Sequence, residues 1–222
     1  MNEITRWEAI SAENINLVNQ FIQTQSVPIR TFSNSLFISV MSGFENFLRS
    51  FLTGILKEIQ NRNSVPESLI YKNLQLSGVA LSYYYSPTSY QKHDYSRMAK
   101  NLNSCFNDDE QTILNEEIIF YLKSILELEN VFSFLEHCGI RITWDNFSEK
   151  NEIKEFFDTT NPRETGKMLK GQLNDYLDMR NRIAHTGLSS SDMALNKVEE
   201  AILCLTYVAE FLTDFCVAEI NK

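Results

Sequence analysis

At 222 residues, 43% of them hydrophobic, the chain is long enough to bury a substantial core. Its 7 Gly and 4 Pro exclude a low-complexity or fibrous protein and suit a mostly helical one. A formal net charge of −9 argues against nucleic-acid binding over the whole surface, though not against a local basic site.

Met1 to Ile10 carries acids and no apolar core, so no signal peptide is expected. Ile4 to Gln23 reads as a helix with Trp7, Ile10, Val18, Phe21 and Ile22 on one side. Pro28 suits the first turn of a second helix that runs to about Asn61. Phe32, Leu36, Phe37, Val40, Phe44, Phe47, Leu48, Phe51 and Ile55 give that helix a wide apolar face. Leu36 to Leu56 has the length of a membrane span but contains Glu45, Asn46 and Arg49, which predicts a buried core helix instead. Glu45 stands at the edge of the apolar face. It either forms an exposed pair with Arg49 one turn on or reaches Arg180, a cation much later in the chain.

Asn61 to Val65 is a polar break, and Pro66-Glu67 restarts a short helix through about Leu81. Tyr83, Tyr84, Tyr85, Tyr90 and Tyr95 then alternate with Lys92, His93, Arg97 and Lys100. Such a mixture either stacks bases and holds phosphates or packs a connecting helix with its hydroxyls in water. Asp108, Asp109 and Glu110 favour a first helical turn. Helical spacing from Ile113 through Ile118, Leu122, Ile125, Leu128, Phe132 and Leu135 predicts one long helix that stops before Gly139. From Asp108 to Glu136 eight acids face one Lys, a net of −7.

Ile140 to Trp144 is a short extended piece or a loop, and Ser148 to Asp158 a brief helix. Asn161-Pro162-Arg163-Glu164 is a helix start signal, although Gly166 and Gly171 shift the firm start toward Lys167. In the run that follows, Leu169, Leu173, Tyr176, Leu177, Ile183 and Ala184 lie within about 60° of one direction, at roughly 100° per residue. Arg180 falls at the centre of that arc, where a guanidinium is costly unless paired or used. From Pro162 to Gly187 five basic residues face three acids, so this helix is net +2 in an acidic chain. Ser189 to Asp192 supplies capping residues for a last helix through Leu195, Val198, Ile202, Leu205, Val208, Ala209, Leu212 and Phe215. The tight connection from Thr186 to Ser191 predicts that it returns antiparallel.

Cys105, Cys138, Cys204 and Cys216 show no Cys-x-x-Cys spacing, and Cys204 and Cys216 are too far apart on one helix to bridge. Reduced thiols in a cytoplasmic protein are expected. His137-Cys138 lacks companions for a zinc site, so no metal is expected. The chemistry concentrates at Arg180 to His185. A histidine can move a proton, an arginine fork can hold phosphate oxygens, and Asn181 shares a helix face with His185.

Arg180-Asn181-Arg182-Ile183-Ala184-His185 resembles the signature of HEPN domains, Arg followed after four to six residues by His. With its longer, more variable middle, the chain resembles the bacterial groups near the RiboL-PSP type. The resemblance implies an all-α HEPN-like helical bundle: one domain over residues 1–222, with about 63–107 inserted in it. It also implies a homodimer that places two copies of the motif in one cleft. The activity implied is metal-independent endoribonuclease, without cofactor, in a toxin or antiviral-defence effector. Arg180, His185 and Asn181 would be catalytic, with Glu45 and Arg182 in support. RNA, a second copy and an antitoxin or defence-system protein would be the partners, with no membrane. The alternative is a catalytically inactive HEPN module for dimerisation or RNA binding. Toxins of this class silenced by nucleotidyl transfer often carry Tyr two residues after the His; here Gly187 stands there, which such an enzyme cannot modify.

Overall fold

The wide apolar face after Pro28 folds as one helix, α1 (Ile29–Asn61). The structure, a computed structural model, describes residues 29–62, 65–82, 94–106, 111–186 and 194–222. The expected helix over Ile4 to Gln23 and the tyrosines from Tyr83 to Tyr90 lie outside them. Further helices are α2 (Glu67–Ser82), α3 (Tyr95–Ser104), α4 (Leu128–His137), α5 (Asn151–Phe156), α6 (Pro162–Thr186) and α7 (Leu195–Ile220). Two 3-10 helices, Glu116–Tyr121 and Trp144–Glu149, complete the set. There is no strand among the described residues, and the fold is all-α. Leu36, Phe37, Val40, Phe44, Phe47, Leu48, Phe51 and Ile55 of α1 are all buried, so its periodicity does what the sequence predicts.

The chain divides into two compact units, one of Met1–Leu48 with Thr143–Val217 and one of Arg49–Ile142 with Ala218–Lys222. The α1 helix contributes to both. The segment read as an insertion, about 63–107, falls inside the second unit and holds α2 and α3.

In the first unit α6 starts at Pro162, not near Lys167. The amide of Arg163 donates to Asn161 Oδ1 at 3.1 Å, which caps the helix before its glycines begin. Gly166 has a different role from the one its propensity suggests. A Cβ there would stand 2.7 Å from the Trp144 carbonyl oxygen, so only glycine lets the Trp144 backbone close on α6. Phe147, in the same 3-10 helix as Trp144, packs tilted against Phe211 of α7 with ring centroids 4.5 Å apart. Tyr176, farther along α6, lies near Glu200 and Cys204, nearer the start of α7. As α6 advances, its neighbours on α7 fall in number, so the two helices run antiparallel.

Among the described residues, α7 is by length and composition the helix apolar enough to cross a membrane, rather than the Leu36 to Leu56 segment that the sequence singled out. Val198, Ala201, Cys204, Leu205, Val208, Ala209, Leu212 and Cys216 are buried along it, the pattern of a core helix.

The second unit corrects the expectation of one long helix from Asp108 to Gly139. Asp108 to Glu110 lie outside the described residues, 111–115 have no regular secondary structure, Glu116–Tyr121 is 3-10, a turn passes Ser124 at φ 43°, and only α4 is α-helical. The amides of Ile113, Leu114 and Asn115 donate to side chains: Ser104 Oγ, Gln60 Oε1 and Asn73 Oδ1, at 2.9, 2.9 and 3.0 Å. Fully buried Asn115 donates onward to Ser77 Oγ and the Met98 carbonyl and accepts from Asn101. A helix here would pull Asn115 out of that network and strand its partners. The predicted stop is where the sequence put it: Gly139 takes φ +84° after α4, and the Ile140 amide returns to the Leu135 carbonyl.

Candidate functional site

The motif occupies the last turns of α6, within the first unit. Leu169, Leu173, Tyr176 and Ile183 are buried, a spacing that holds one face of α6 in the core. Arg180 lies on that face between Tyr176 and Ile183 and is half-buried. Its Nη1 donates to Asn181 Oδ1 at 3.1 Å. The bond fixes the fork from the next residue along, a role for Asn181 that helix-face arithmetic did not anticipate. Ile183 is the last buried residue. Ala184, expected in the buried arc, is exposed, because the helix runs past the end of the core.

His185 is exposed one residue from the helix end, free to reach a ligand. Arg182 is exposed too, and its carbonyl accepts from Thr186 Oγ1 at 2.7 Å, closing the last turn. Gly187 lies outside the described residues. The structure therefore holds Arg180 and Asn181 together by a direct bond, while His185 and Arg182 project to solvent.

Glu45 is half-buried on α1, in the same unit as the motif. Arg49, its suggested surface partner, is half-buried as well. Arg49 Nη1 donates to the Ile119 carbonyl at 3.0 Å, and its guanidinium lies 5.7 Å from the Phe120 ring centroid. Arg49 thus packs on Phe120 and caps the Ile119 carbonyl.

Tyr176 precedes Arg180 by one turn and packs edge-on against Phe37 of α1, with ring centroids 6.0 Å apart. Its hydroxyl is buried and meets no hydrogen-bond partner, although Gln172 comes close. Burial, then the nearby Cys204 and Glu200, raise its pKa above the usual phenol range. Burial alone pushes the neighbouring Cys204 thiol up to about 12.

Among the described residues, no three His, Cys, Asp or Glu side chains converge as a metal site. All four cysteines are free thiols, three of them buried. Of the tyrosine-rich segment, Tyr95, Arg97 and Lys100 are described. Arg97 is ion-paired with Glu117, which draws it into the acidic unit.

Sequence reasoning missed Trp144, whose ring lies 5.9 Å from Lys170 Nζ on the outer face of α6. The signal was present in Gly166: a glycine inside the apolar arc of a helix marks a close backbone approach.

The chain is a HEPN-type domain. It belongs to the RiboL-PSP-HEPN family, whose model matches residues 5–218. No curated protein and no solved structure matches the chain. HEPN domains commonly act as dimers and bind RNA, and many are ribonucleases, so the family is compatible with an RNA-related function.

Proposed function

We propose that this protein is a metal-independent HEPN endoribonuclease, acting in the cytoplasm as a homodimer in a toxin or antiviral-defence role. One observation carries the reading: exposed His185 ends the helix on which half-buried Arg180 is oriented by Asn181. RNA brings its own nucleophile. His185 takes the 2′-hydroxyl proton as that oxygen attacks phosphorus. The new O2′–P bond replaces the P–O5′ bond, and the departing O5′ receives a proton, giving a 2′,3′-cyclic phosphate and a 5′-hydroxyl. Arg180 holds the non-bridging oxygens as charge develops on them. A single imidazole cannot serve both sides of phosphorus, so a second copy supplies the other His185 and Arg180. Glu45 supports Arg180 through its field, and Arg182 adds positive charge at the rim. An antitoxin or defence-system protein would act by covering this cleft.

The test is RNA cleavage by purified protein in EDTA, with the ends of the products analysed. Activity should persist, and His185→Ala should lower it by about 100-fold or more. Mixing His185→Ala with Arg180→Ala should restore part of it if one cleft draws on both chains. Loss of activity in EDTA would end the metal-free mechanism, and a fully active monomer would end the composite site. A folded dimer that cuts no tRNA, mRNA or ribosomal RNA would establish the non-catalytic module instead.

A further inference from the structure

The outer face of α6 carries a feature that the catalytic reading does not use. At roughly 100° per residue, Arg163, Lys167, Lys170 and His185 fall within about 60° of one another, away from the buried arc. All four are exposed, and the line from Arg163 to His185 spans about 33 Å at 1.5 Å per residue. Among the described residues, no ion pair engages Arg163 or Lys167. One carboxylate, Asp178, stands at the stripe's edge, exposed and nearer the motif end. In a chain of net charge −9 this alignment is a local positive track.

Half-buried Trp144 borders the track. Its backbone is drawn against α6 by Gly166, where any side chain would strike the Trp144 carbonyl, and its ring lies beside Lys170. An indole fixed by packing, next to an exposed ammonium, is the pairing that stacks a base while holding its phosphate.

We infer that single-stranded RNA runs along the outer face of α6, its phosphates on Arg163, Lys167 and Lys170 and one base on Trp144, and enters the site at His185. This deepens the ribonuclease reading and rests on it for the direction of the strand. An acidic polypeptide would use the cations but not the indole, and a duplex would keep its bases from Trp144.

The test measures binding by the uncleaving His185→Ala protein to fluorescent oligouridine across a salt series, with and without Arg163→Gln, Lys167→Gln and Lys170→Gln combined. Each phosphate contact with a single strand contributes a log–log salt slope of about 0.7, so the triple change should flatten the slope by about 2. With Trp7→Phe leaving Trp144 as the only tryptophan, oligouridine should quench the remaining fluorescence. An unchanged salt slope overturns the track. So does a track that binds polyglutamate in preference to oligouridine. If Trp7→Phe impairs folding, Trp144→Phe in the parent protein gives the same readout by difference, and absence of any change in quenching overturns the stacking. The two readings separate cleanly: slope and quenching without cleavage in the parent protein would keep the track and remove the nuclease, whereas cleavage with an unaltered slope would do the reverse.

Discussion

The motif helix α6 and the acidic stretch from Gln111 to His137 both carry apolar residues at helical spacing, yet only α6 is a continuous helix. The difference lies in where the backbone donors go. In α6 side chains intervene only at the ends, with Asn161 capping the first turn and Thr186 closing the last. In the acidic stretch the amides of Ile113, Leu114 and Asn115 are claimed by Ser104, Gln60 and Asn73, residues far away in sequence or on other helices. Side-chain acceptors preplaced by tertiary structure can outcompete the i−4 carbonyl, because a buried acceptor left unmet costs more than one helical bond contributes. The two regions differ in burden as well. α6 is net positive and presents its charges to solvent, while the acidic stretch buries Asn115 and most of Glu117, the latter against Arg97.

The largest stability effect should come from the centre of that second network. Asn115→Ala removes an acceptor for Asn101 and donors for Ser77 and the Met98 carbonyl, all in a buried setting. A loss of about 2–4 kcal/mol in urea unfolding is expected. Asn181→Ala, which breaks one half-buried bond, should cost under about 1 kcal/mol while, on the proposed reading, impairing RNA cleavage. Equal costs for the two changes would break the contrast between a polar core that sets the backbone and a polar site that serves chemistry.

That contrast also explains what could be read from the sequence. The helices α1, α2, α6 and α7 follow apolar periodicity, and Pro28, Pro66, Asn161 and Gly139 mark boundaries near where they occur. The motif's place at a helix end was legible for the same reason. The break at residues 111–127 was not, since its cause is a set of acceptors on α1, α2 and α3 that no local pattern records. Trp144 was hidden differently: its importance comes from contact with Gly166 and Lys170, some twenty residues away. The bond from Arg180 to Asn181 depends on a rotamer, which residue spacing does not specify.

A medium effect should appear at alkaline pH, and it distinguishes the two units. Fully buried Cys204 keeps its proton in the folded state to about 12. The unfolded thiol ionises near pH 8.5–9. Its folded value is raised, so its contribution is complete below the unfolded value and is lost as pH rises toward 12. Stability should fall by about 1.4 kcal/mol per pH unit over that window. Cys105 in the second unit is also raised by burial, but it is only half-buried and hydrogen-bonded to Asn73 and Ser104, so its pull is weaker. Cys204→Ala should flatten the alkaline limb of a urea-midpoint series far more than Cys105→Ala. A steeper response from Cys105→Ala would place the dry thiol in the wrong unit.

The smallest effect concerns Tyr176, which packs α6 on α1 while its buried hydroxyl meets no hydrogen-bond partner. Its ring packs edge-on against Phe37, and nothing in that contact needs the hydroxyl. Tyr176→Phe keeps the ring and removes a desolvated group, so it should be neutral or stabilising by up to about 1 kcal/mol. It should also remove the part of the alkaline limb above the ordinary phenol value, because the folded phenol is raised and the unfolded one is not. Arg180 sits one turn on and the substitution keeps the ring, so RNA cleavage, on the proposed reading, should stay within about twofold of the parent. A loss of more than 1 kcal/mol would mean that the hydroxyl meets a partner on assembly, and a large loss of cleavage with stability unchanged would make Tyr176 a positioning residue for Arg180.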